Sequence, residues 1–324
     1  MKKILITGAL GQIGSELTTK LRKEYGTNNV IATDVRLIDS SDVVNNGIFE
    51  TLNVMDVEAM GGIAKKHNVD TIIHLASLLS AVAEKKPQFA WQLNMNGLVN
   101  ALEVAKETKS TLFAPSSIAA FGPNSPKDLT PQDTIQRPNT MYGVTKVAGE
   151  LLADYYFHKF GVDTRSVRFP GLISYVTPPG GGTTDYAVDI YYEALKNKKY
   201  ESFIAKGTKM DMMYMPDALQ AVVDLLEADS SKLIHRNSFN ITAMNFDPEE
   251  IAAEIKKHIP DFEFGYNVDP VRQSIADSWP NSLDSSCAIN EWGFKAEYDL
   301  SKMTTDMLEK LREQGIGNTE TSLA

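Results

Sequence analysis

KKILITGALGQIG, residues 2–14, is an apolar strand core that runs into a turn with glycines at 8, 11 and 14. Helix-like spacing follows from Gln12, so the order is strand, glycine turn, helix. Glycine has no Cβ, which lets the backbone turn sharply and approach a phosphate, and Gly14 allows helix and strand to pack closely. Free amides and about half a positive charge at the helix start suit a pyrophosphate. The spacing GxxGxxG departs from the GxGxxG dinucleotide fingerprint, and a three-glycine turn can also be plain punctuation.

The next strand gives that turn its meaning. An apolar run at 30–33 ends at Asp34, twenty residues beyond Gly14, where an acidic residue receives the ribose hydroxyls of a dinucleotide. A carboxylate there repels a 2′-phosphate and favours NAD over NADP. Arg36, just past the strand, is the residue that could instead contact such a phosphate.

A chain of 324 residues can bury a large core, as one big α/β domain or as one with an appended lobe. The net charge of −10 argues against nucleic acid or an anionic membrane as the main partner, which leaves a small molecule. One cysteine, Cys287, permits neither an intrachain disulfide nor a multi-cysteine metal site, which fits a reducing compartment. The start, MKKILITG, has the length of neither a secretory signal nor a membrane span. A cytoplasmic protein is expected.

Strands are expected at 4–7, 30–33, 48–53, 71–75, 111–115, 163–168 and 238–242. Helices are expected at 12–25, 57–67, 87–108, 142–160, 184–196 and 217–228. That alternation predicts a Rossmann-type, doubly wound parallel sheet in the α/β class. Residues 1–169, with return segments at about 210–242, form the expected nucleotide-binding domain. Residues 170–209 and 243–313, rich in Pro and Gly around Pro178, Pro179, Gly180, Gly181 and Gly182, form a smaller C-terminal substrate-binding lobe, and 314–324 a flexible tail.

Two further stretches carry chemistry. In YGVTK, Tyr142 and Lys146 are four apart on an expected helix and share a face. A phenol, with its pKa of about 10, becomes a usable proton acceptor when an ammonium stabilises the phenolate. In APSSIAAFG, residues 114–122, serines stand at a strand's carboxyl end, where a hydroxyl can both donate to and accept from a reacting oxygen. Each stretch has a plain alternative, an exposed helix pair and a capping serine, but all these features in order make joint coincidence a poor explanation.

The chain resembles the extended short-chain dehydrogenase/reductase family over nearly its full length. The matching stretches are TGALGQIG at 7–14, Asp34, HLAS at 74–77, PSSIAAFG at 115–122, YGVTK at 142–146, RFPGLIS at 168–174 and MYMPDAL at 213–219. By that resemblance Ser117 is the catalytic serine, Tyr142 the base and Lys146 the residue that also grips the nicotinamide ribose. Gly8, Gly11, Gln12, Ile13, Gly14, Asp34, Asp56, Leu75, Ala76, Ser77, Phe169, Pro170 and Leu172 line the cofactor.

Residues 170–187 and 209–217 resemble the NAD-dependent L-threonine 3-dehydrogenases of short-chain type, which need no zinc. The resemblance implies oxidation of the threonine side-chain alcohol, with Ser80, Ser117, Tyr142, Thr183, Thr184, Asp185 and Trp279 around the substrate. It also implies a homodimer through the helices at 87–108 and 142–160. No metal is expected: His67, His74, His158, His235 and His258 show no ligand spacing, and His74, inside a strand, reads as a core residue. Two alternatives use the same features, a nucleotide-sugar 4-epimerase and a non-catalytic NAD-binding protein.

Overall fold

A computed structural model describes residues 1–178, 180 and 182–317. Strands β1 (Ile4–Thr7), β2 (Val30–Asp34), β3 (Phe49–Thr51), β4 (Thr71–His74), β5 (Thr111–Phe113), the short β6 (Ser116–Ser117) and β7 (Thr164–Arg165) open the chain. All of these except β6 build one parallel sheet in the order β3-β2-β1-β4-β5-β7. The chain winds outward from β1 to β3, then returns to add β4, β5 and β7 on the other side. That reversal opens a crevice beyond the carboxyl ends of β1 and β4.

Why the first strand sits in the middle follows from its composition. Ile4, Leu5 and Ile6 are all fully buried, as a strand covered on both faces requires. Alternation then divides them. Ile4 and Ile6 pack with Leu17 and Leu21 of helix Gln12–Tyr25 and with Ala218 and Val222 of helix Met215–Glu227. Leu5 points the other way, onto Met60 of helix Val57–Lys66 and Leu98 and Leu102 of helix Gly97–Thr108. Burying a side chain of this size contributes roughly 1.5–3 kcal/mol.

The remaining strands are β8 (Val167–Phe169), β9 (Gly171–Ile173), β10 (Lys199–Ser202), β11 (Met210–Tyr214), β12 (Phe239–Asn240), β13 (Met244–Phe246) and β14 (Glu263–Tyr266). They form three small sheets, β12-β8-β6, β13-β11-β9 and β10-β14. A separate apolar cluster, with Tyr186, Tyr191, Met212, Tyr214, Ile251 and Met307, is the core of the C-terminal half.

Several elements differ from the expected ones, two of them where a polar side chain makes bonds outside its own element. The helix expected over 87–108 is broken into Pro87–Trp91, a π-turn Gln92–Asn96 and Gly97–Thr108. Within that turn the Asn94 side chain accepts from Leu78 N at 2.8 Å and donates to Thr145 Oγ1 at 3.3 Å. The strand expected at 111–115 ends at Phe113 and is followed, after a first split, by β6 at Ser116–Ser117; the one expected at 163–168 divides into β7 and β8 at a second. At the second split Ser166 bonds across the sheet, its amide donating to Arg236 O at 2.8 Å and its hydroxyl to Ala114 O at 2.7 Å. The strands expected at 48–53 and 238–242 shorten to β3 and β12. Of the tail expected at 314–324, residues 314–317 curl back, with Ile316 N donating to Leu311 O at 2.9 Å, and 318–324 lie outside the described residues.

Candidate active site

The glycine turn is locked from both sides. Gly8 has φ +69°, and a Cβ there would lie 2.7 Å from Ala76 N; a Cβ on Gly14 would lie 2.2 Å from Gly8 O. No side chain caps helix Gln12–Tyr25, since its N-cap is Gly11, so its first amides stay available at the crevice. Leu10 N donates to Asp34 Oδ2 at 3.1 Å, which ties the turn to the end of β2. Asp34 also accepts from Arg36 N and Nε, both at 3.0 Å. Burial alone would raise the Asp34 carboxyl, but the Arg36 side chain and the amides of Arg36 and Leu10 outweigh it and hold the group below its ordinary range. A glycine cradle, open helix amides and an ionised carboxylate fit the pyrophosphate and ribose of a dinucleotide.

Helix Met141–Phe160 carries the opposite wall. Thr140 caps it, accepting from Gly143 N at 3.1 Å. Gly143 is needed at this start because a Cβ would lie 2.3 Å from Ala119 O, and this close approach brings Tyr142 up to the turn that begins at Ser117. Lys146 lies one helical turn on. Its Nζ is 5.2 Å from the Tyr142 ring centroid and donates to Pro115 O at 2.7 Å. Ser117 Oγ accepts from Ala119 N at 3.2 Å, which leaves its hydroxyl hydrogen to donate elsewhere.

A third residue of the same helix face, Glu150, fixes this wall from below. It accepts from Arg168 Nε at 3.0 Å and Nη2 at 2.8 Å, from Gln136 Nε2 at 2.8 Å and from Ser116 Oγ. The two serines therefore part: Ser116 is buried against Glu150, and Ser117 faces the cleft. The spacing 142, 146, 150 was readable as one stripe, yet only the fold reveals its partner Arg168.

A cleft of about 250 Å³ joins the glycine turn, from Gly8 through Gly11, Gln12, Ile13 and Gly14, to Ser117, Tyr142 and Lys146. Leu75, Ser77, Phe169, Pro170 and Leu172 line its middle. Ser80, Thr183, Thr184, Asp185 and Trp279 line it as well. Gly171 and Ile118 also line it and went unnoticed in the sequence. Asp34 and Asp56 lie off this cavity, Asp34 at the end of β2 and Asp56 as the N-cap of helix Val57–Lys66, accepting from Ala59 N at 2.9 Å. Ala76 backs the turn and borders a smaller chamber of about 60 Å³ behind Lys146.

Thr183, Thr184 and Asp185 form a short 3-10 turn leading into helix Tyr186–Asn197, and Asp185 Oδ2 accepts from Gly182 N at 2.7 Å. The capping and cleft-lining positions thus coexist in one segment. Thr183 is 2% exposed and its hydroxyl is a buried polar group with no hydrogen-bond partner. Pro179 and Gly181 of the preceding loop lie outside the described residues. His74 is a core residue, as expected, bonded to Thr7 Oγ1 at 2.9 Å. Burial, then the charge of Lys146, pushes it down to about 4, so it is neutral at neutral pH.

Comparison with known proteins gives a consistent answer. The profile of the NAD dependent epimerase/dehydratase family matches residues 4–242. A solved L-threonine dehydrogenase from Clostridium difficile is 75% identical, with a TM-score of 0.97 over 98% of this chain and 99% of that one. A monomeric L-threonine 3-dehydrogenase from a metagenome is 43% identical, with a TM-score of 0.92 over 96% of this chain and 99% of that one. An uncharacterised epimerase/dehydratase of Staphylococcus saprophyticus is 61% identical over 311 residues, 96% of this chain and 97% of that one.

Proposed function

Because the chain belongs to the NAD dependent epimerase/dehydratase family, we propose that it oxidises the 3-hydroxyl of L-threonine to 2-amino-3-oxobutyrate with NAD. One observation carries the reading: a single cleft is lined by the glycine turn, by Ser117, Tyr142 and Lys146, and by Ser80, Thr183, Thr184, Asp185 and Trp279. Threonine brings an ammonium, a carboxylate and a hydroxyl, and burying them requires complementary groups. Thr183, Thr184 and the loop amides answer the carboxylate, Asp185 the ammonium, and Trp279 and Ser80 close around the side chain.

The chemistry assigns each residue one task. Bound NAD supplies the hydride acceptor. The amides that follow Gly11 would hold its pyrophosphate, and Asp34 would accept from its adenosine ribose. Asp56, Leu75, Ala76, Ser77, Phe169, Pro170 and Leu172 complete its surroundings. Tyr142 takes the alcohol proton, Lys146 supplies positive charge beside the phenol oxygen, and Ser117 donates to the substrate oxygen and holds it at contact distance.

The proposal extends to organisation. Residues 1–169 and about 210–242 act as the cofactor domain, and 170–209 with 243–313 as the substrate lobe. A homodimer would cover the exposed Phe89 and Trp91 of helix Pro87–Trp91 and Leu151, Tyr155 and Phe160 of helix Met141–Phe160. Sedimentation as a monomer at micromolar concentration would discard it. Among the described residues no helix is long and apolar enough to cross a membrane; cytoplasmic residence is checked by cell fractionation.

The activity test mixes purified protein with NAD and L-threonine and follows the absorbance of reduced nicotinamide. A threonine-dependent rise is expected. Epimerisation of a UDP-sugar without net reduction, or silence with both substrates, would reject the assignment.

A further inference from the structure

Away from the cleft, the fold brings together three side chains that stand far apart in the sequence. Cys287 and Glu291 lie one turn apart on helix Ser286–Trp292 and so share a face. His235 reaches them from the segment before β12. One donor atom from each lies within 4.8 Å of the others. The absence of ligand spacing among the histidines therefore did not exclude a mixed cluster.

The surroundings of the three are ordered as a metal site needs. Glu291 Oε2 accepts from the amides of Ile234 at 2.6 Å and His235 at 3.1 Å, which fixes the carboxylate and leaves Oε1 toward His235 Nδ1. On the far side of the ring, His235 Nε2 faces Asp133 Oδ2 at 3.4 Å. His235 Nδ1 is hydrogen-bonded to Glu291 Oε1; a metal on Nδ1 would take the place of the proton in that bond and leave Nε2–H to face Asp133, the outer-shell arrangement that orients metal-binding histidines.

We propose that His235 Nδ1, Cys287 Sγ and Glu291 Oε1 bind a divalent cation of the zinc class, with Asp133 orienting the imidazole. Thiolate, imidazole and carboxylate together are a zinc-type donor set; hard cations such as magnesium prefer oxygen alone. With metal–ligand bonds of about 2.0–2.3 Å, tetrahedral donors stand roughly 3.3–3.7 Å apart. Binding would draw Cys287 in from the present spacing, within 4.8 Å, and open the His235–Glu291 contact. None of the three lines the catalytic cleft. The cation's role is that of a staple between helix Ser286–Trp292 and the segment entering β12.

The test uses the full chain, first stripped of metal, with cobalt chloride and then zinc chloride as probes. One equivalent of cobalt should produce a thiolate charge-transfer band with tetrahedral d–d bands, and zinc should abolish them. Cys287→Ser should remove the charge-transfer band while threonine-dependent NAD reduction stays at the wild-type rate, which shows that the variant is folded. Asp133→Asn should weaken cobalt binding by about 10–100-fold. Zinc should raise the melting temperature of wild type and not that of Cys287→Ser. Failure of the wild type to give a thiolate band, or equal zinc stabilisation of both proteins, would overturn the site.

Discussion

Glu150→Gln probes the ion pair beneath the catalytic wall. The side chains of Glu150 and Arg168 are 5% and 6% exposed, and their two contacts of 3.0 and 2.8 Å are a bidentate pair inside the protein. Glutamine keeps the volume and one acceptor oxygen, but it presents an amide NH₂ among donors, since Arg168, Gln136 and Ser116 all donate to Glu150. Removing one member of a buried pair costs about 3–5 kcal/mol, because the other charge is left unanswered. Arg168 would keep Gln132 O at 2.8 Å and Asn240 Oδ1 at 3.0 Å, so the lower end applies. A loss of about 3 kcal/mol raises the unfolding constant roughly a hundredfold. Urea unfolding should show a lower midpoint at an unchanged slope. Pairing Glu150→Leu with Arg168→Met should recover most of the loss, since no buried charge then stands alone. A loss under about 1 kcal/mol in Glu150→Gln would refute the reasoning.

Tyr142→Phe keeps the ring but deletes the oxygen, so turnover should fall by at least about 10²–10⁴-fold while NAD binding persists, measured by calorimetry beside steady-state rates; substantial turnover would reject Tyr142 as the base. Asp34→Ala should raise the KM for NAD about ten- to a hundredfold, as charged hydrogen bonds contribute roughly 1.5–3 kcal/mol, and should narrow the preference over NADP; unchanged NAD kinetics would reject the ribose contact. Thr183→Val removes a buried hydroxyl that has no partner, so melting temperature should hold or rise while the KM for threonine increases and that for NAD does not; equal change in both would leave Thr183 a purely structural residue. Burial pushes Glu16 up to about 7 against the weaker opposing pull of the Ser174 hydroxyl. The folded chain then holds a proton that the unfolded chain releases near 4.5, so stability is lost as pH rises from 4.5 to about 7, and Glu16→Gln should flatten that slope in unfolding measured across the window.

How far the sequence could be read depended on whether a feature repeats along the chain or joins distant parts of it. The run Ile4–Thr7, the glycine turn and helix Gln12–Tyr25 were legible because periodicity and punctuation are local properties. Tyr142 and Lys146 were legible because one helical turn separates them. Ser166 was not: one polar residue among the largely polar stretch Asp163–Arg168 carries no sign that its amide and hydroxyl will split the strand. The π-turn around Asn94 depends on partners at Leu78 and Thr145, outside its own helix. Arg168 and Glu150, and likewise His235, Cys287 and Glu291, are brought together by tertiary packing, which hydrophobic pattern does not encode.

Arg36 shows why residue type alone misleads at a binding site. As a lone arginine beyond β2 it reads as a 2′-phosphate contact, but in the folded chain its guanidinium lies 3.0 Å from Asp34 and half of its side chain is exposed. To serve NADP it would have to leave that pair, while Asp34, 6% exposed and held ionised, stayed beside the incoming phosphate. The phosphate would then meet an uncompensated carboxylate at short range, where the repulsion is weakly screened. With NAD the same carboxylate would accept ribose hydroxyls, as proposed, while Arg36 continued to fix it in place. On the proposed reading Arg36 supports the preference for NAD as long as Asp34 is present, and would become a phosphate ligand only when Asp34 is removed.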